Sequence, residues 1–254
     1  MRPIAALYST FAQRAVDQII HDVATQNQGV TFALDRAGFV SDDGETHQGL
    51  FDIALLRSVP NLTLLAPASG AELEAMLGWS VASGKPCVIR YPKASCPHEL
   101  AAFSAPLESG RGVFVRESGA PVLIAFTGSL YPQADEAADH LAADGIGVDL
   151  YNLRFLKPVD EDNLLKILSA YELVVLVEEG VSSGGFGEYV SALAQRSGLR
   201  THLVTLGAAD SFPAQATRQE LLAKAGMDAA GIAAATAAAF RATGRFTLLR
   251  SQAR

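Results

Sequence analysis

Tyr8, Phe11 and Arg14 are close together near the start of the chain, Asp43 and His47 stand four apart in a glycine-containing stretch, and Arg90 closes an apolar run. An aromatic ring stacks on a flat ligand, a guanidinium grips phosphate or carboxylate through paired N–H groups, and an imidazole exchanges protons near neutral pH. These groups are therefore equipped to bind a phosphorylated small molecule and move a proton on it. Phe11 and Arg14 are three apart, so on a helix they share a face. A cation in a first helical turn opposes the helix dipole by about 0.3–1 kcal/mol, and an anionic ligand held with the free amides would explain it. A surface arginine over a core phenylalanine is the alternative. Arg90, just before Tyr91 and Pro92, reads as either a salt-bridge partner or a second phosphate grip. Asp43 and His47 read as either a solvated turn or a positioned proton-exchanging pair on a loop.

Other candidates carry less. Asp42, Asp43 and Glu45 surround Gly44 without the alternating ligands of a calcium loop, and read as a hydrated acidic turn. His21, His98, His140 and His202 are dispersed, with no second ligand at metal spacing, so no metal site is expected. Cys96 and His98 flank Pro97 without an oxyanion motif. Gly184-Gly-Phe-Gly187, preceded by Glu178-Glu179, lacks the Lys-Ser/Thr ending of a phosphate loop and reads as a tight strand-to-helix turn.

The elements that must position these groups alternate. Residues 4–7 read as a short strand, and Thr10-x-x-Gln13 has capping-box form, opening a helix to about Gln26 with Phe11, Ala15, Ile19 and Val23 on one stripe. Val30 to Leu34 has strand length, and the acidic, glycine-rich segment that follows is a loop. A short helix from Phe51 to Arg57 and a strand from Leu62 to Ala66 come next. A second helix opens at the capping box Ser69-x-x-Glu72 and closes at Gly84, and the last strand of this half runs from Pro86 to Tyr91. From Pro92 to about Gly112 periodicity is lost, as in a linker. A second run then begins, with strands at Val122–Phe126, Val148–Tyr151, Leu173–Val177 and His202–Thr205 and helices between and after them. The expectation is α/β, with two tandem three-layer domains on mostly parallel sheets: residues 1–97, a linker over 98–112, and 113–254. A sheet of this kind takes ligands at the carboxyl ends of its strands, where Tyr8 and Arg90 fall.

Composition narrows the function classes. A net charge of −7 with no basic block argues against nucleic acid, and the 49% hydrophobic, 19% charged composition describes a buried globular fold. Two cysteines nine apart signal neither a disulfide framework nor a zinc knuckle, and no apolar run approaches membrane-spanning length. A reduced cytoplasmic setting with no membrane partner is expected.

Two tracts, Pro3 to Asp22 and Asp35 to Asp52, with Val59 to Pro67, Ile89-Arg-Tyr-Pro92, Arg154-Phe-Leu-Lys-Pro158 and Glu178-Glu-Gly180, resemble signature segments of the 1-deoxy-D-xylulose-5-phosphate synthases, of the transketolase superfamily. The resemblance implies a thiamine-diphosphate enzyme, with Mg2+, that condenses pyruvate with glyceraldehyde 3-phosphate and releases carbon dioxide, serving isoprenoid and thiamine synthesis. It implies a partial pyrimidine-binding domain followed by the transketolase C-terminal domain. By the same resemblance Phe11 packs on the aminopyrimidine, Tyr8, Arg14 and Arg90 hold the phosphorylated acceptor, and Asp43 and His47 approach the reacting carbons. The glutamate that activates the cofactor and the diphosphate- and magnesium-binding domain belong to family segments upstream of the matched region, so this chain alone is expected to be incomplete. It is expected to form a homodimer or to associate with a separate N-terminal half. Two other readings remain: a 2-oxo acid dehydrogenase β-like subunit, and a noncatalytic dimerisation or regulatory module.

Overall fold

The computed structural model describes residues 1–40 and 43–243. Asp42 of the acidic turn and residues 244–254 of the expected second domain lie outside the described residues.

Strands β1 (Ile4–Tyr8), β2 (Thr31–Asp35), β3 (Thr63–Leu65) and β4 (Cys87–Arg90) build a parallel sheet in the order β1-β2-β4-β3. β3 and β4 are buried along their whole length, as parallel strands covered on both faces must be. Register places Tyr8 beside Asp35 and Leu34 beside Arg90, so the carboxyl ends of β1, β2 and β4 are level. A second sheet contains β5 (Val113–Arg116), β6 (Val122–Phe126), β7 (Val148–Asn152), β9 (Leu173–Val181) and β10 (His202–Ala208), in the order β10-β9-β6-β7-β5. Both sheets are mostly parallel, with helices between successive strands, as the alternation predicts.

Two short strands escape the sequence pattern. β5 pairs antiparallel with β7, and β8 (Phe155–Lys157) leaves the second unit to pair antiparallel with β3 at the edge of the first sheet. One continuous core runs across both units, joining Leu34, Leu64 and Val88 to Leu123, Ala125 and Leu176. The segment read as a linker is also fastened: Phe103 is fully buried, and the Arg154 guanidinium donates to the carbonyls of Ala102, Phe103, Ala105 and Pro106.

The first helix departs from its expected opening. Tyr8, extended at φ −70° and ψ 139°, precedes it with no side-chain cap, and the Thr10 hydroxyl instead donates 2.7 Å to the Thr46 carbonyl. The helical stretch over 9–24 ends in widened turns, with Thr25 N–H on the Ile20 carbonyl (2.8 Å) and Gln28 N–H on the Val23 carbonyl (2.9 Å). The second capping box is half realised. Ser69 accepts from the Glu72 amide at 3.2 Å, but the Glu72 carboxylate turns to Ala68, Asn152 and Arg154. Gly84 closes that helix in the left-handed conformation at φ 64°.

Candidate active site

The carboxyl end of β1 passes directly into the first helix, so Tyr8 and Phe11 meet. Their rings stack with centroids 5.4 Å apart and planes 16° apart. The edge of His47 approaches Phe11 at 5.5 Å and 66°, and the Arg14 guanidinium stands 5.8 Å from the Phe11 centroid. Phe11 remains 41% exposed, leaving an aromatic surface open to a flat ligand. Arg14 is exposed and His47 half-buried.

Arg36 is the residue that sequence reasoning missed. It follows β2, next to the end of β1, and its guanidinium lies over the Tyr8 ring at 4.1 Å while its Nη1 donates to Asp43 at 2.5 Å. Its backbone is left-handed, φ 55°, and its amide donates to the Asp35 carboxylate at 2.7 Å. An asparate-supported turn thus aims a cation back across the sheet edge. Lys93 adds a third positive charge, 4.0 Å from Asp43. The available signal was the position itself, one residue beyond a strand end adjacent to that of Tyr8.

Arg90, expected among the acceptor-holding groups, is 3% exposed, with Nε 2.7 Å and Nη2 3.3 Å from the Asp52 carboxylate and Nη2 2.9 Å from the Glu179 carbonyl. β4 lies between β2 and β3, so a side chain leaving its end enters the seam between the units, where Asp52 supplies the counter-charge. The two guanidinium groups that flank the aromatic pair are those of Arg14 and Arg36.

The connection carrying Asp43 and His47 is pinned at its neck. Gly38 and Gly49 exchange backbone hydrogen bonds of 2.7 and 2.8 Å, and the Gln48 side chain bonds both the amide and the carbonyl of Val40. Thr46 Oγ1 lies 3.0 Å from His47 Nδ1. Beside the helix start, a cavity of about 190 Å3 is lined by Thr10, Gln13, Thr46 and Phe51, with the exposed Phe212 closing one side. Two larger clefts, of about 720 and 680 Å3, include none of the six clustered side chains. The cluster marks the candidate site, since it joins stacking, anion-binding and proton-exchanging groups at the carboxyl ends of neighbouring strands.

Gly184-Gly-Phe-Gly187 is the turn its sequence suggested. The Glu178 carboxylate accepts the Phe186 and Gly187 amides at 2.8 Å each, so an internal anion already fills this helix start. Burial pushes the Glu178 carboxyl up from the usual range, against these hydrogen bonds and the nearby Arg90 and Arg57. Among the described residues no group of three or more His, Cys, Asp or Glu side chains could hold a metal ion, and no helix is long and apolar enough to cross a membrane.

Residues 1–98 match the family described as transketolase, pyrimidine binding domain, and residues 110–232 match transketolase, C-terminal domain. The chain belongs to the transketolase family. This transketolase-family chain is 50% identical over 235 residues to the 1-deoxy-D-xylulose-5-phosphate synthase of Treponema pallidum (strain Nichols), covering 92% of this chain and 37% of that protein. It is 43% identical to the synthase of Syntrophus aciditrophicus (strain SB), covering 92% and 36%. The chain therefore spans little more than a third of the length of these curated relatives. Among solved structures, a split-gene transketolase described as an inactive β4 tetramer superposes with a TM-score of 0.84 at 29% identity, covering 94% of this chain and 76% of that one. A transketolase from Pichia stipitis, at 21% identity and a TM-score of 0.76 over 94% of this chain and 34% of that one, shares the fold. The relatives place the chain in a family of thiamine-diphosphate enzymes of transferase type.

Proposed function

We propose that this chain supplies the acceptor-binding and aminopyrimidine-facing part of a 1-deoxy-D-xylulose-5-phosphate synthase active site, completed by a second polypeptide segment that brings the diphosphate- and Mg2+-binding groups. The observation that carries this reading is the stacked Tyr8–Phe11 pair, flanked by the Arg14 and Arg36 guanidinium groups and edged by His47. The open face of Phe11 fits an aminopyrimidine ring. When bound, the cofactor supplies the electron sink for carbanion chemistry on pyruvate. Arg14 and Arg36 suit the phosphate of glyceraldehyde 3-phosphate, each offering planar paired donors to its oxygens. Asp43 holds Arg36 in place through their ion pair, and His47, beside the Phe11 ring, would give the acceptor aldehyde its proton as the carbon is attacked. The product would feed isoprenoid and thiamine precursor synthesis in the cytoplasm.

The resemblance to a split-gene transketolase subunit described as an inactive β4 tetramer supports a chain that self-associates and does not turn over by itself. A noncatalytic module would self-associate too, so only added function separates the readings. Mixing this chain with the N-terminal part of a related synthase and assaying carbon dioxide release from pyruvate, with glyceraldehyde 3-phosphate present, tests the proposal. Activity is expected from the mixture alone, with Arg14→Ala and Arg36→Ala each raising KM for the acceptor about 10- to 100-fold and leaving KM for pyruvate within about threefold. His47→Ala is expected to lower kcat by about 10²–10⁴. If the mixture is silent while the intact relative works under identical conditions, the reading fails.

A further inference from the structure

We infer that Glu179, on β9 of the second unit, is a positioning residue for the connection that presents Asp43 and His47, and that Arg218 at the rim of the molecule locks it. The role assigned to His47 rests on the function proposed above; the geometry of the seat does not.

The Glu179 carboxylate is fully buried. Its Oε1 accepts the Phe39 amide at 2.9 Å, and its Oε2 accepts the Ser129 hydroxyl at 2.7 Å. Arg218 grips it with both faces of its fork, Nη2 to Oε2 at 2.5 Å and Nε to Oε1 at 3.2 Å. The Glu179 backbone is held as well: its amide lies 3.3 Å from Thr127 Oγ1, and its carbonyl accepts from Arg90, itself paired with Asp52. One residue of the second sheet therefore receives a backbone amide from the β2 connection, a side chain from the end of β4 and a guanidinium from the helix Arg218–Lys224.

Close approach confirms the seating. A Cβ on Gly38 would stand 2.5 Å from Glu179 Oε1 and 2.7 Å from its Cγ, so glycine lies flat against the carboxylate, at φ +84°. The opposite end of the connection is tied to the same strand, since the Val181 amide donates to the Leu50 carbonyl at 3.0 Å. Phe39 and Leu50 are both buried in the core cluster of the second unit. The tip that carries His47 thus stands on a stem whose two feet rest on β9, and the Glu179 carboxylate beneath it serves both amide and guanidinium. Arg218 supplies the countercharge from the rim, its side chain 16% exposed against 0% for that of Glu179.

Residue-level amide exchange on this chain tests the inference without any catalytic assay. Arg218→Met is expected to speed exchange at Gly38, Phe39, Val40 and Gly49 by more than threefold, with β6 and β7 amides unchanged. Glu179→Ala is expected to do the same more strongly, and Glu179→Gln, which keeps an acceptor oxygen for the Phe39 amide, to fall between Glu179→Ala and the parent. Should Glu179→Ala fail to fold, Arg218→Met decides. The His47 imidazole proton resonance, assigned through His47→Gln, should shift or broaden in Arg218→Met. An acceleration below threefold, or one spread equally over β6 and β7, overturns the inference. Because no turnover is read, a silent reconstitution would not affect this result, nor would an unchanged exchange pattern sink the site itself.

Discussion

Arg36 and Asp43 show how a charge is aimed. The guanidinium is held between a ring at 4.1 Å and a carboxylate at 2.5 Å, and a left-handed backbone turns it toward the sheet edge. Pre-organisation of this kind lowers the ordering cost of gripping an anion. The same scale accounts for the two cysteines. Burial pushes the Cys87 thiol up to about 12, whereas Cys96 is exposed. Alkylation of the native chain at neutral pH is expected to label Cys96 alone, with Cys87 reacting only after denaturation, as peptide mass spectrometry can show. Asp149 supplies the pH-dependent term. Burial works to raise its pKa, but hydrogen bonds from the Ser118 hydroxyl and amide, the Tyr171 hydroxyl and the Ala120 amide prevail and hold it below the usual aspartate range. A folded-state pKa below the unfolded one stabilises above the unfolded value and is lost as pH falls through the folded one. Asp149→Asn should therefore cost about 1–3 kcal/mol at neutral pH, from donors left unsatisfied. The gap from the parent in denaturant titrations should shrink as pH falls below the unfolded aspartate value of about 3.9 and through the lower folded one.

At the scale of elements, the connection between β2 and the helix Asp52–Arg57 is built as a stem and a tip. Gly38 and Gly49 close the stem, and neither tolerates a side chain: a Cβ on Gly49 would stand 2.9 Å from Ser9 Cβ and closer still to the Arg36 carbonyl. Gly38→Ala places a Cβ against Glu179 and a non-glycine residue at φ +84°. A loss of about 2–4 kcal/mol is expected in chemical denaturation, combining left-handed strain with displacement of a buried carboxylate. Gly44→Ala makes a control without the contact, since it has φ +78° and ψ −170° and no atom within 4 Å of its Cβ, and only the backbone strain of about 1–3 kcal/mol should register. The helix Phe186–Arg196 follows a comparable logic: Glu178, buried on β9, caps its start from that strand rather than from a neighbouring residue.

Across the whole molecule, the two units share a core and a pair of buried charge networks. β8 completes the first sheet from the second unit, and Arg154, 2% exposed, links Glu72 at 2.6 Å with four carbonyls of the connecting segment. Removing one partner of a buried pair leaves an uncompensated charge and typically costs about 3–5 kcal/mol. Arg154→Met should lose that much and should separate the unfolding of the two sheets, visible as a transition followed by Trp79 fluorescence that no longer coincides with circular dichroism. Trp79 packs edge-on against Phe155 of β8, so it reports the joint directly.

The α/β class, the strand and helix order and the aromatic–arginine face of the first helix were legible from residue types and spacing alone. Apolar runs such as Val122–Phe126 bury themselves whichever neighbours cover them, and residues three apart on a helix meet whatever else the chain does. Three features were settled only by the folded chain. β5 and β8 are short, antiparallel edge strands whose pairing depends on what lies beside them. Asp52, 38 residues from Arg90, draws that guanidinium into the seam, while the end of β1 places Tyr8 beneath Arg36. Glu179 becomes the seat of a connection 140 residues away. A side chain's tendency to be buried is written in its own chemistry, but the partner that satisfies a buried charge is chosen by proximity in space, which no local pattern encodes.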